Sequence, residues 1–162
     1  MIHNGIEYGD MQLIAEAYWV MKNLIDLTNE EMADVFARWN EGKLRSYLIE
    51  ITSNILRHKD KSGGYLIDKI LDAAGQKGTG KWSVINAMEL GMPLGLIATA
   101  VFERSLSAQK ELRHLASKQF LCKHTLPVYN KAELVKEIFS ALYASKLVSY
   151  CLLYTSDAAD EL

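Results

Sequence analysis

An all-α, bundle-like domain is the fold this sequence predicts, and three observations predict it. Apolar residues recur at three- and four-residue spacing along nearly the whole chain, without a convincing stretch of strand-like alternation or a fixed repeat. Only two prolines occur, Pro93 and Pro127, so long helices are free to form almost anywhere. Hydrophobic residues make up 49% and charged residues 23% of the 162, a globular composition able to fill one sizeable core.

The elements follow in order. Between Met11 and Asp26, residues Leu13, Ile14, Ala17, Tyr18, Met21, Leu24 and Ile25 share one helical face. Thr28 with Glu31 three residues on is a capping-box signature, predicting a helix through about Trp39 that Gly42 ends. A third helix fits Arg45 to Arg57, with Leu48, Ile49, Ile51, Ile55 and Leu56 facing the core. Lys59 to Gly64 is a polar turn, Tyr65 to Ala74 a short helix, and Gly75 to Gly80 a glycine-rich loop. Helical pattern resumes from Lys81 to Leu90 and breaks at Gly91-Met-Pro93, where the proline is suited to begin the next helix. That helix is predicted to run unbroken to about Phe120. A connector from His124 to Asn130 leads to a last amphipathic helix, Lys131 to Tyr150.

Bulk properties narrow the function. A net charge of −2 gives no global attraction to nucleic acid or to an acidic membrane, so an anion site has to come from a local cluster. The N-terminus carries no basic region followed by an apolar run, and no segment approaches the roughly 20 apolar residues of a membrane span. Cys122 and Cys151 read as two reduced thiols of a cytoplasmic protein. His58, His114 and His124 have no metal-ligand spacing to His3 or to the cysteines, so no metal is expected. Trp19, Trp39 and Trp82 read as core and interface material.

Three segments hold more polar chemistry than a helical core requires. In His3-Asn4-Gly5-Ile6-Glu7-Tyr8, helical spacing pairs His3 with Glu7 and Asn4 with Tyr8 on adjoining faces. An imidazole, an amide, a carboxyl and a phenol then lie together, suited to a polyhydroxylated ligand and to proton transfer. A solvated N-terminus accounts for the same spacing. In Gly75-Gln76-Lys77-Gly78-Thr79-Gly80-Lys81-Trp82, a helix start aims backbone donors at an anion while Lys77 and Lys81 bring charge. The segment nearly matches the phosphate-binding P-loop but fails twice. Trp82 stands where Ser or Thr should hold magnesium, and the preceding segment reads as a helix. A phosphate or sugar-phosphate site remains, beside the reading of an ordinary turn. Third, Arg104 lies in the apolar stretch Leu94 to Leu106 and needs a partner, either Glu103 or another carboxylate, or a bound anion.

Taken together these residues resemble the helical domain of the 6-phosphogluconate dehydrogenase family. Residues 3–14 are similar to the opening of that domain, Gly64 to Trp82 to its phosphosugar loop, and 100–107 and 141–150 to two further helices, all in order. The resemblance covers residues 1–150 and implies an enzyme of the pentose phosphate pathway. It oxidises 6-phosphogluconate with NADP and releases carbon dioxide to give ribulose 5-phosphate. It also implies a homodimer, with no nucleic acid or membrane partner. Carried onto matching positions, it makes Glu7 the general acid that protonates the enediol left after decarboxylation. His3 and Asn4 would hold the hydroxyl and carboxyl region, and Tyr8, Lys77, Thr79 and Arg104 the phosphate end. The family's general-base lysine and its nucleotide-binding Rossmann domain have no counterpart in these 162 residues, so the cofactor-binding residues are unassigned and the chain alone is expected not to turn over. Residues 151–162 do not match and read as a frayed or artefactual tail. Two other readings stay open: a non-catalytic helical interaction module, and a related β-hydroxyacid dehydrogenase domain acting on a smaller acid without phosphate contacts.

Overall fold

The structure, a computed structural model, describes residues 2–120 and 130–160, side chains of Ile2 and 152–160 excepted. The expectations for Cys122, His124 and the connector through Pro127 lie outside the described residues. Within them the fold is all-α: α1 Ile2–Asn23, α2 Asn29–Asn40, α3 Tyr47–Arg57, α4 Thr79–Glu89, α5 Gly95–Ala108, α6 Lys110–Gln119 and α7 Lys131–Asp160, with a 3-10 turn at Leu66–Lys69. The one β-type contact among them is an isolated bridge between Lys59 and Tyr65.

The chain divides into two compact units. The first takes α1 as far as Gln12, residues 72–120, and α7 from Lys146 onward; the second takes Leu13–Leu71 and α7 up to Ser145.

The second unit has an apolar interior. Its core includes Met21, Met32, Phe36, Leu44, Ile49 and Leu56, all essentially inaccessible, with Ile138 and Leu142 from α7. Each such side chain contributes roughly 1.5–3 kcal/mol by leaving water. Aromatic rings add shape: Phe36 meets Trp39 edge-on at 5.2 Å, and Phe139 stacks on Tyr143 at 6.3 Å. The capping box forms as predicted, with Thr28 accepting from the Glu31 amide and Glu31 accepting from the Thr28 amide. Hydrogen bonds from its own capping contacts lower the Glu31 pKa.

Several boundaries differ from the sequence expectation, each for a physical reason. Gly42 does not adopt a left-handed cap. Instead α2 tightens into 3-10 bonds, Glu41 N–H to Arg38 O and Gly42 N–H to Trp39 O, both 3.2 Å. In α3 the buried face is Ile49, Ser53 and Leu56, while Ile55 is 44% exposed. Ser53 is tolerated inside because its hydroxyl donates to Ala33 O at 2.9 Å. The helix predicted from Tyr65 to Ala74 shrinks to a single 3-10 turn. Asp68 is drawn to Lys22 at 2.9 Å and to Asn29 at 2.8 Å, and the chain beyond Ile70 leaves helical conformation.

The first unit has a smaller apolar core, Ile6, Tyr8, Val84, Ile97, Ala100 and Val101, contributed by α1, α4 and α5. A Cβ on Gly5 would lie 2.9–3.2 Å from Ser83 and Ile97, so the absence of a side chain lets α1 approach α4 and α5. Below this core Lys146 of α7 donates to both oxygens of Asp10, at 2.5 and 2.6 Å, with both side chains at least nine-tenths buried. Pro93 does not begin α5: Leu94 caps it and Gly95 is its first residue. The helix predicted to reach Phe120 is two helices, broken at Gln109 (φ −89°, ψ 53°). Trp39 is buried as predicted, whereas Trp19 and Trp82 are more than half exposed.

Candidate functional site

All seven candidate residues fall in the first unit. His3, Asn4, Glu7 and Tyr8 lie on the first two turns of α1, where the helix is already formed from Ile2. The helical spacing assumed for them therefore applies. His3 is exposed, and its Nδ1 lies 3.4 Å from Asn4 Oδ1; Asn4 and Glu7 are half-buried. Tyr8 is buried, its ring set in the small core.

Tyr8 joins the three segments. On one side of its ring sits the first turn of α4: a Cβ on Gly80 would stand 2.6–3.1 Å from the Tyr8 ring carbons. No side chain fits there without pushing the ring away. Against the ring lies Arg104 of α5, its guanidinium carbon 4.1 Å from the ring centroid, a cation–π contact worth about 1–2 kcal/mol when partly desolvated. Arg104 also donates from Nη1 to Gly75 O at 3.0 Å and from Nη2 to Met11 Sδ at 3.4 Å. No carboxylate ion-pairs with Arg104 among the described residues, Glu103 included. The guanidinium is thus oriented by a ring and a carbonyl, and no carboxylate among the described residues pairs with its charge.

The glycine loop completes the arrangement. Gly78 takes a left-handed φ of 93° and caps α4 with no side-chain hydrogen bond to the helix start. The first amides of α4, beginning at Thr79, therefore have no capping side chain. Helix dipole and open N–H groups together favour an anion there. Lys77 and Lys81 are exposed and have no hydrogen-bond or ion-pair partner among the described residues. Thr79, half-buried, opens the helix. Direct contacts thus gather Tyr8, Arg104, Gly75 and Gly80, while His3, Asn4 and Glu7 enter through their helix. The contacts form a cationic corner around Tyr8; His3, Asn4 and Glu7 share α1 with Tyr8 but make no hydrogen bond or ion pair to that corner among the described residues.

Sequence similarity fits this arrangement. A family model described as 6-phosphogluconate dehydrogenase, C-terminal domain, matches residues 1–155. The chain belongs to that family. It is 54% identical over 150 residues to the decarboxylating 6-phosphogluconate dehydrogenase of Schizosaccharomyces pombe, covering 93% of this chain and 30% of that protein. To the Escherichia coli enzyme of the same name it is 53% identical, covering 93% and 32%. A solved 6-phosphogluconate dehydrogenase from Plasmodium falciparum, described in its apo form and in complex with NADP+ and with 6-phosphogluconate, is similar in structure. Its TM-score is 0.93 at 45% identity, over 99% of this chain and 35% of that one. The chain thus spans about a third of the length of the curated relatives it matches.

Sequence reasoning gave no role to Met11, Asp72, Ser105, Ser107 and Arg113, all bound up with the loop. Gly80, one of three glycines in the loop, was read for its approach to an anion and not for its contact with Tyr8. Lys146 carried a usable signal, a charge amid the apolar pattern of α7, as Arg104 did in α5.

Proposed function

We propose that this chain forms the helical substrate-binding part of a decarboxylating 6-phosphogluconate dehydrogenase that uses NADP. The observation that carries the reading is the guanidinium of Arg104, without a carboxylate partner among the described residues, stacked on Tyr8 and bonded to the glycine loop. A dianionic phosphate suits that corner: Arg104 and Lys77 would supply charge, and the open amides at Thr79 and Gly80 and the Tyr8 and Thr79 hydroxyls would donate. Further along the α1 face, His3 and Asn4 would hold the hydroxyl and carboxyl region of the sugar acid.

Oxidation by NADP followed by loss of carbon dioxide leaves an enediol, which needs a proton to become ribulose 5-phosphate. Glu7, one position before Tyr8 and half-buried, is the acid assigned to that transfer. Among the described residues no strand feeds a glycine turn, so none of them is given a role toward the nicotinamide. With the reading go a homodimeric enzyme and a cytoplasmic location. No helix among the described residues is long and apolar enough to cross a membrane. A helical interaction module whose glycine loop is only a turn gives no reason for Arg104 to lie without a carboxylate. A relative acting on a smaller, unphosphorylated acid gives no reason for the cationic corner.

Calorimetry with 6-phosphogluconate and with gluconate tests the reading. The phosphorylated acid binds at least tenfold more tightly if the corner holds phosphate; equal affinities, or binding of neither, remove it.

A further inference from the structure

The approach to the glycine loop, residues 72–76, has no regular secondary structure of its own, yet it is fastened along its length to the end of α5 and the start of α6. Ala74 N–H donates to Ser107 Oγ at 3.0 Å, Arg104 to Gly75 O at 3.0 Å, and Gln76 Nε2 to Ser105 Oγ at 3.3 Å. The first fastening is Arg113. Its Nη2 donates to Asp72 O at 2.6 Å and to Ser107 O at 3.1 Å, and its Nη1 to Asp72 Oδ2 at 2.9 Å.

One guanidinium therefore ties three things: the backbone where the loop segment begins, the carboxylate there, and an open carbonyl at the C-terminal end of α5. Ser107, whose carbonyl Arg113 takes, is the residue whose hydroxyl receives the next loop amide. The α5–α6 break at Gln109 is what brings Arg113 back toward Ser107. A continuous helix would have used the Ser107 carbonyl itself. Arg113 Nε is buried without a hydrogen-bond partner among the described residues, so the side chain is placed for what its two Nη groups hold.

We infer that Arg113 is a positioning residue for the phosphate end of the site: it fixes the start of the 72–78 segment on α5, and so sets where Lys77 and the α4 amides stand relative to Arg104. The inference deepens the proposed function and rests on it. Both Nη groups of Arg113 are taken up by Asp72 and Ser107, so its part is to place the loop and not to act on the reacting atoms.

Two measurements on this chain test it. In the ligand-free protein, Arg113→Lys retains charge but cannot fork to two carbonyls and a carboxylate. It shifts the amide resonances of Ala74 to Gly78 and speeds their hydrogen exchange, while the Ser62 and Gly64 amides of the other polar turn stay unchanged. Ser107→Ala, a milder change that removes the hydroxyl acceptor, moves the same resonances in a protein that retains its fold. Unmoved loop resonances in both variants overturn the inference without touching the functional reading. In the second measurement, Arg113→Lys weakens 6-phosphogluconate binding about tenfold, the worth of one charge-assisted contact, and leaves gluconate binding within twofold. Equal losses for both ligands mean general damage and also overturn it. A wild-type chain that does not distinguish the two ligands brings down the functional reading, and the inference with it.

Discussion

Two polar, lysine-bearing glycine turns lie sixteen residues apart in this chain, and they have opposite electrostatic ends. The turn at Lys59–Gly64 closes on itself. Asp60 accepts from the Ser62 amide at 2.8 Å, the Ser62 hydroxyl at 2.6 Å and the Gly64 amide at 3.2 Å, and pairs with Lys69. Lys59 rests over the Tyr65 ring, 4.9 Å from its centroid, and Tyr65 donates to Glu30 at 2.7 Å. Nearly every charge there is answered locally. The loop at Gly75–Gly80 has no carboxylate of its own; it and the residues leading into it are fastened from outside by Arg104, Ser105, Ser107 and Arg113, and Lys77 has no partner among the described residues. Composition makes both look alike. What separates a structural turn from a ligand loop is whether the donors find acceptors within the protein.

The sharpest test of that contrast is Arg104→Ala, which should weaken 6-phosphogluconate binding by about 2–3 kcal/mol, as loss of a charged hydrogen-bonding partner does, with gluconate binding little changed in calorimetry. An unchanged phosphate preference would make the second loop as structural as the first. Gly80→Ala comes next. The new methyl meets the Tyr8 ring, and overpacking of this kind costs about 1–3 kcal/mol in the urea unfolding midpoint, with a loss of affinity that Gly63→Ala does not share. Lys77→Ala should leave stability unchanged and cost about 1 kcal/mol of 6-phosphogluconate affinity, shrinking further in high salt, because the side chain is exposed.

The smallest effect belongs to the closed turn. Its Lys69 partner, then the Ser62 hydroxyl, hold the Asp60 carboxyl at about 2, below its ordinary 3.8. A depressed carboxylate stabilises the folded turn fully above its unfolded value, and that stabilisation is lost as pH falls through the folded one. The Ser62 and Gly64 amide shifts should therefore titrate together with a midpoint near pH 2, while the Gly75–Gly80 amides show no such step. A midpoint near 4 would mean that the turn is not closed in solution.

The helical fold was legible because apolar spacing and the Thr28–Glu31 cap are local signals that the packing respects. Two of the misjudged points are places where another element takes over a local decision. Asp68 bonds Asn29 and Lys22 instead of continuing a helix, and Gln109 breaks the predicted long helix with no glycine or proline nearby, where Arg113 claims the Ser107 carbonyl. In the site, residue types were readable from chemistry, since an arginine in an apolar run or lysines around glycines demand an account. Gly80 was not readable in that way. Its role is defined by the Tyr8 ring, seventy-two residues earlier in sequence, and nothing near it announces that contact.

The Asp10–Lys146 pair has a consequence for how the chain finds its fold. Helices α1 and α7 are long and carry many apolar residues, so sliding one along the other by a residue or two would still bury hydrocarbon. Each such slip displaces the charges by about 1.5 Å per residue and swings them about 100° around the helix axis, leaving an ammonium and a carboxylate in an apolar interior without each other. The pair thus acts as a selector of alignment: it adds little to the depth of the native minimum, and raises the energy of its near neighbours.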